Sequence, residues 1–154
     1  MNVSRRSIVG AALLTALSVA VLPRTASAAG RTVDVVKIMA FSCPVCRAAE
    51  AQDPVIERAV RAVGGRFVRG PLPTSAAESG AKERVYYASR SYMPALTPKV
   101  SDALYRGLQD LGIPLADFPQ VYVYFQQQFP ELTDEQLAGL FEAAQEPAAK
   151  QALS

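Results

Sequence analysis

Two cysteines stand in this chain, and they stand together, as Cys43-Pro44-Val45-Cys46. Two intervening residues put both sulfurs within one helical turn, close enough to bond without straining the backbone. Ser42 or Cys43 can cap a helix here, and Pro44 falls near its first turn, where a missing N–H costs nothing. The helix is therefore expected to start at the cysteines. Unpaired N–H groups and the positive end of the helix dipole then stabilise a thiolate on Cys43 and lower its pKa below the free value of about 8.5. Cys43 is the expected nucleophile, and Cys46, one turn in and facing the core, the thiol that resolves a mixed disulfide. Pro44 limits the motion needed. Other readings of the pair are a structural disulfide, two buried thiols, or part of a metal site. A bridge closing so small a loop removes little chain entropy. Zinc wants four ligands, which two cysteines without histidine do not supply within one chain. Copper(I) needs only two thiolates, with Met39 or Met93 in assistance, so a soft-metal carrier stands as the alternative to redox turnover. The proline between the cysteines and the strand before them fit redox turnover better.

The remaining composition narrows the field. With 154 residues, 50% of them hydrophobic, the chain has material for one packed domain. A net charge of +2, with no basic run interleaved with aromatics, excludes nucleic acid as the expected partner. Histidine is absent, so the commonest general base and metal ligand are missing, and catalysis must rest on other groups. Residues 1–28 read as a cleaved export signal: Arg5 and Arg6, an apolar run from Ile8 to Leu22, and Ala26-Ser27-Ala28 as the cleavage site. The run falls short of the roughly 20 residues that cross a bilayer as a helix. Ser4-Arg5-Arg6-Ser7-Ile8-Val9 resembles the twin-arginine export motif, although ordinary secretory signals also carry two arginines. Either route ends outside the cytoplasm, where thiols can be oxidised and a lone cysteine pair is credible as a Cys43–Cys46 disulfide.

The elements that must position the pair follow from the pattern. Val33, Val35, Val36 and Ile38 form a β-branched run from Thr32 to Met39, as expected of a central strand buried on both faces. The cysteine helix is expected to continue through Val60 and Val63, kinked at Pro54, and to stop at Gly64-Gly65. Residues Arg66 to Arg69 read as a second strand. Helical segments follow: Glu78 to Tyr92, with Val85, Ala88 and Tyr92 on one face, and a segment opened by Thr97-Pro98. The latter carries Val100, Leu104, Leu108 and Leu111 as an apolar stripe and ends at Gly112. Pro119 to Phe129 has strand composition but helical spacing of Phe118, Tyr122, Phe125 and Phe129, and is taken as helix. Thr133 to Gln136 is a capping box, and a last short helix is expected from Pro147. The aromatics of this half are expected in the core.

The segment Val35-Val36-Lys37-Ile38-Met39-Ala40-Phe41-Ser42-Cys43-Pro44-Val45-Cys46 resembles the active-site strand and helix of DsbA-like thiol:disulfide oxidoreductases, of the thioredoxin superfamily. The second strand and the run of helices from about Glu78 are similar to that family's helical domain inserted into a thioredoxin fold. The resemblance implies an α/β, thioredoxin-like fold with a helical insertion, residues 29–74 carrying the site and 75–154 the helical domain. It implies a periplasmic oxidase or isomerase without a bound cofactor. The partners are then exported cysteine-containing proteins and a membrane or periplasmic redox partner, with Cys43 exchanging and Cys46 resolving. Val45 replaces a histidine often seen in strongly oxidising members and cannot carry positive charge beside the thiolate, so Cys43 should be less acidic than theirs. Lys37 stands where thioredoxin relatives usually hold a buried acid serving the resolving cysteine; a lysine can shuttle a proton if desolvated, and its cation favours a nearby thiolate. The family's cis-proline loop and later strands have no counterpart before Ser154, which leaves the sheet incomplete at the C-terminus. Truncation, completion by a partner such as a second copy in a homodimer, or a strand at Val121 to Phe125 would each account for this. A partner-dependent subunit with impaired turnover belongs with the copper(I) carrier as the alternative function.

Overall fold

The computed structural model describes residues 34–75 and 78–147. The export signal read over residues 1–28, the first residues of the expected strand, and the body of the helix expected after Pro147 lie outside them. Strand β1, Asp34–Met39, and strand β2, Arg66–Pro71, pair in parallel with Asp34 opposite Arg66 and Met39 opposite Pro71. Between them run helix α1, Pro44–Ala49, a 3-10 turn at Glu50–Gln52, and helix α2, Asp53–Ala62. A right-handed crossover of this βαβ kind is the usual way to join parallel neighbours. The expected single helix is thus two. The break precedes Pro54 because a proline ring clashes with the carbonyl four residues back, here that of Glu50, where α1 ends.

Helices α3 (Ala81–Tyr92), α4 (Thr97–Tyr105), α5 (Phe118–Gln128) and α6 (Asp134–Gln145) build the rest. The stretch from Pro119 is helical as its spacing predicts, so it does not supply a strand. The capping box forms as expected, with the Gln136 amide donating to the Thr133 hydroxyl and the Gln136 side chain accepting from the Thr133 amide. Phe41, Val85, Val100, Leu104, Tyr105, Val121, Phe125 and Leu140 are fully buried, and most aromatics of this half are core; Tyr92, expected on one face with Val85 and Ala88, is instead 49% exposed at the C-terminal end of α3. Aromatic edges lock the layers: Phe125 meets Phe129 at 5.0 Å and Phe141 at 5.8 Å between ring centres.

Two further expectations are corrected. Strand β1 is not buried on both faces: Val36 is 55% and Ile38 60% exposed, because among the described residues the sheet has two strands and the packing comes from the opposite face. The outer edge of β2, in contrast, is capped by α3, with Tyr87 Oη donating to the Pro71 carbonyl and Arg90 Nη1 to that of Arg69. The apolar stripe of α4 also fails at its end. Residues Arg106–Asp110 form one turn of π-helix, whose extra residue per turn swings Leu111 off the stripe to 55% exposure.

Candidate active site

The β1 strand delivers the chain to Phe41, and a turn closed by the Cys43 amide on the Ala40 carbonyl (3.1 Å) redirects it into α1. Cys43 is the residue that caps this helix. Its backbone is extended, and its sulfur accepts from the Cys46 amide at 3.2 Å. Pro44 occupies the first turn of α1, as its fixed φ and missing N–H favour. Val45 projects into solvent at 76% exposure, offering an apolar surface beside the cysteines. Both thiols are free and half-buried, and Cys46 packs against the core.

The two sulfurs differ electrically. The Cys43 thiol is held below its ordinary value by a hydrogen bond from the Cys46 side chain first, then by the Cys46 amide and, against slight burial, the Val45 amide. Cys46 is pushed up, by that same side-chain contact and then by burial, while the Ala40 backbone and the charge of Lys37 pull it down. A more acidic outer thiol paired with a less acidic inner one is the division that attack and resolution require.

Beneath the pair lies a charge cluster that sequence reasoning found only in one member. Lys37 Nζ meets Asp53 Oδ1 at 2.6 Å; Arg69 reaches Glu50 Oε1 at 2.9 Å and Asp53 Oδ2 at 3.7 Å. Ser101 Oγ donates to the same Glu50 oxygen at 3.2 Å. Two cations thus balance two carboxylates under the sheet, which lets these charges sit half-buried or deeper without an uncompensated ion. The cluster borders a cleft of about 500 Å³ lined also by Tyr86 and Arg90. Glu50 and Asp53 share a helical face with the cysteine turn, but nothing in the sequence tied them to Lys37, on another element. Met39 is buried, and its sulfur accepts from the Tyr105 hydroxyl at 3.7 Å. Among the described residues no group of three or more histidine, cysteine or acidic side chains could hold a metal ion.

Side chains from the helical half hold the residues on either side of the pair. Gln109 Nε2 donates to the Phe41 carbonyl at 2.8 Å, and Arg47 Nη1 meets Asp110 Oδ1 at 2.7 Å. Phe41 is wedged edge-on between Tyr86 and Tyr105, with ring centres at 5.7 and 5.2 Å. No signal in the sequence pointed to Gln109 or Asp110.

No family model matches this sequence, and a search of curated proteins finds no match. Among solved structures, the oxidoreductase NmDsbA1 from N. meningitidis superposes with a TM-score of 0.57 at 11% identity, over 86% of this chain and 64% of that one. The disulfide oxidoreductase DsbA from Proteus mirabilis aligns at a TM-score of 0.49 and 15% identity, over 77% of this chain and 59% of that one. The first likeness defines the class: a DsbA-like thioredoxin fold with a helical insertion, its sheet reduced to two strands among the described residues. The chain spans about 64% of the length of the meningococcal protein, with the Cys-Pro-Val-Cys turn of this sequence at the end of its first strand.

Proposed function

We propose that this chain is a thiol:disulfide oxidoreductase that exchanges disulfides with exported, cysteine-containing proteins in the periplasm. The observation that carries the reading is the Cys46 amide donating to Cys43 Sγ at 3.2 Å at a helix start, with the two thiols shifted in opposite directions. In the oxidised protein, a Cys43–Cys46 disulfide, a substrate thiolate attacks Cys43 Sγ. The bond to Cys46 breaks, and Cys46 leaves as a thiolate and takes up a proton. A second substrate thiolate then attacks the substrate sulfur of the mixed disulfide, so the substrate gains a disulfide and Cys43 leaves as the stabilised thiolate. The reverse sequence reduces a substrate disulfide, and the reduction potentials of the two partners set the direction. A membrane or periplasmic redox partner restores the starting state.

In this reading residues 29–74 carry the exchange site, residues 75–154 support it, and residues 1–28 direct export. No helix among the described residues is long and apolar enough to cross a membrane. Lys37 tunes Cys46: its charge favours the departing thiolate, and Asp53 holds it in place. If Lys37→Ala leaves the rate of mixed-disulfide resolution unchanged, that role is excluded. The edge of β1 away from β2 is where a partner strand, from a second copy included, adds to the sheet, and the exposed Val36 and Ile38 give an apolar face for that partner to cover.

The deciding experiment is the pH dependence of Cys43 alkylation in the reduced, mature protein, with Cys43→Ala as control and circular dichroism to establish folding. Reaction as a thiolate well below pH 7.5, together with thiol-driven reduction of a disulfide-bonded protein, supports the proposal. A Cys43 that titrates like a free thiol in folded protein overturns it.

A further inference from the structure

The π-turn at Arg106–Asp110 does more than end a helix. Its wide turn is closed by the Leu111 amide on the Arg106 carbonyl at 3.0 Å and by the Ile113 amide on the Gly107 carbonyl at 2.8 Å. Gly107 lets Leu115 and the Tyr124 ring pack closely on this turn, since a Cβ there would lie 3.0 Å from both, tighter than nine in ten real contacts. Gly112, at φ +65°, then reverses the chain. One extra residue in the turn shifts those that follow by about 100° around the axis. The result is that two consecutive side chains, Gln109 and Asp110, face the cysteine turn across 68 and 63 residues of sequence. They straddle it: Phe41 lies two residues before Cys43, and Arg47 directly follows Cys46.

Resting on the redox reading of Cys43, the geometry points to Gln109 and Asp110 as positioning residues. Acting through the Phe41 carbonyl and the Arg47 guanidinium, they fix the start of α1 so that its first free amides stay aimed at the Cys43 sulfur. The hydrogen bond those amides make is directional and weakens steeply away from linearity, so a turn held at both ends keeps a thiolate stabilised that a loose turn does not. Phe41 is already packed on both sides by Tyr86 and Tyr105, which leaves its carbonyl a fixed anchor. The charges that bear on the two thiols and on Arg47 are Lys37 of β1, Asp110 of the π-turn, Asp102 of α4, and Glu50 of the 3-10 turn. At its Gln109 end the clamp acts on Cys43 through geometry, since neither Gln109 nor Phe41 is charged; at its Asp110 end the ion pair with Arg47 adds a charge effect.

The test compares alkylation of the reduced full chain from pH 4 to 9 in wild type, Gln109→Met, Asp110→Ala and Asp110→Glu. Gln109→Met keeps length and loses the donor; the expected result is an upward displacement of the Cys43 profile by about half a pH unit, roughly a threefold slower reaction at pH 6. Asp110→Ala moves the profile less and only at low salt, because its ion pair is exposed, and Asp110→Glu restores it. A folded Gln109→Met protein with the wild-type profile overturns the clamp. Should Gln109→Met not fold, an unchanged profile for the exposed Asp110→Ala at low salt overturns it instead. A wild-type Cys43 that behaves as a free thiol overturns the redox reading itself, an outcome distinct from a low wild-type profile that the variants leave in place.

Discussion

The helical half and the strand that carries the cysteines are built to different standards. In the helices, Leu104, Val121, Phe125 and Leu140 have no exposed surface, and aromatic edges interlock between α5 and α6. In β1, two of the large apolar side chains are more than half exposed, and its inner face mixes the buried Met39 with a charged pair, Lys37 against Asp53. The difference teaches where stability and chemistry reside. Dense packing fixes the platform, while the strand that leads to the cysteines keeps charged neighbours, of which Lys37 bears on Cys46.

The contrast can be broken from the packed side first. Phe125→Ala should cost about 4 kcal/mol of unfolding free energy in denaturant melts, since it empties an enclosed aromatic site. A loss under about 1 kcal/mol would show the helical core to be looser than its burial implies.

Lys37→Ala should cost less, about 2 kcal/mol, because it leaves Asp53 with Arg69 as its remaining cation, at 3.7 Å. The same melts read it. An unchanged midpoint would mean that the Lys37–Asp53 pair repays only its own desolvation.

Glu83 sharpens the comparison, because it is a charged group placed in the helical half with weaker compensation than Asp53, a single cation at 3.5 Å against one at 2.6 Å. It is fully buried, neither carboxylate oxygen has a hydrogen-bond partner among the described residues, and Lys82 Nζ lies 3.5 Å away. Burial raises its pKa above the ordinary glutamate value, with Lys82 opposing. An acid shifted upward binds its proton more tightly folded than unfolded. Its contribution therefore favours folding at pH below the unfolded value and is lost as pH rises through the folded one. Glu83→Gln should remove that loss and raise stability at pH 7 by about 1 kcal/mol, with little change at pH 4. Melts of both proteins across that range check it; parallel pH dependence in the two would count against a strained Glu83.

The smallest effect belongs to the exposed face. Replacing Val36 and Ile38 together by threonine should change monomer stability by less than about 0.5 kcal/mol. If the protein self-associates through this face, sedimentation should show the double variant shifted to monomer, and a clear loss of monomer stability would mean that the face is covered.

Much of the site was legible because its signals act within one turn. The Cys-Pro-Val-Cys spacing marked the helix start and the proline at its first turn, and the amide donating to Cys43 comes from three residues on. Thr133 and Gln136 announced their capping box in the same way, and the spacing of Phe118, Tyr122 and Phe125 outweighed their strand-like composition. Pro54 signalled a break but not its position, since the clash falls on a carbonyl four residues earlier. What only the tertiary structure decided lies across long intervals of chain. Lys37 could not name Asp53 as its partner, the π-turn erased the stripe that predicted Leu111 in the core, and Gln109 reaches Phe41 over 68 residues. Periodicity says which face of an element is apolar; it carries no information about which element meets that face, and so the burial of β1 and the clamp on the cysteines were settled by packing alone.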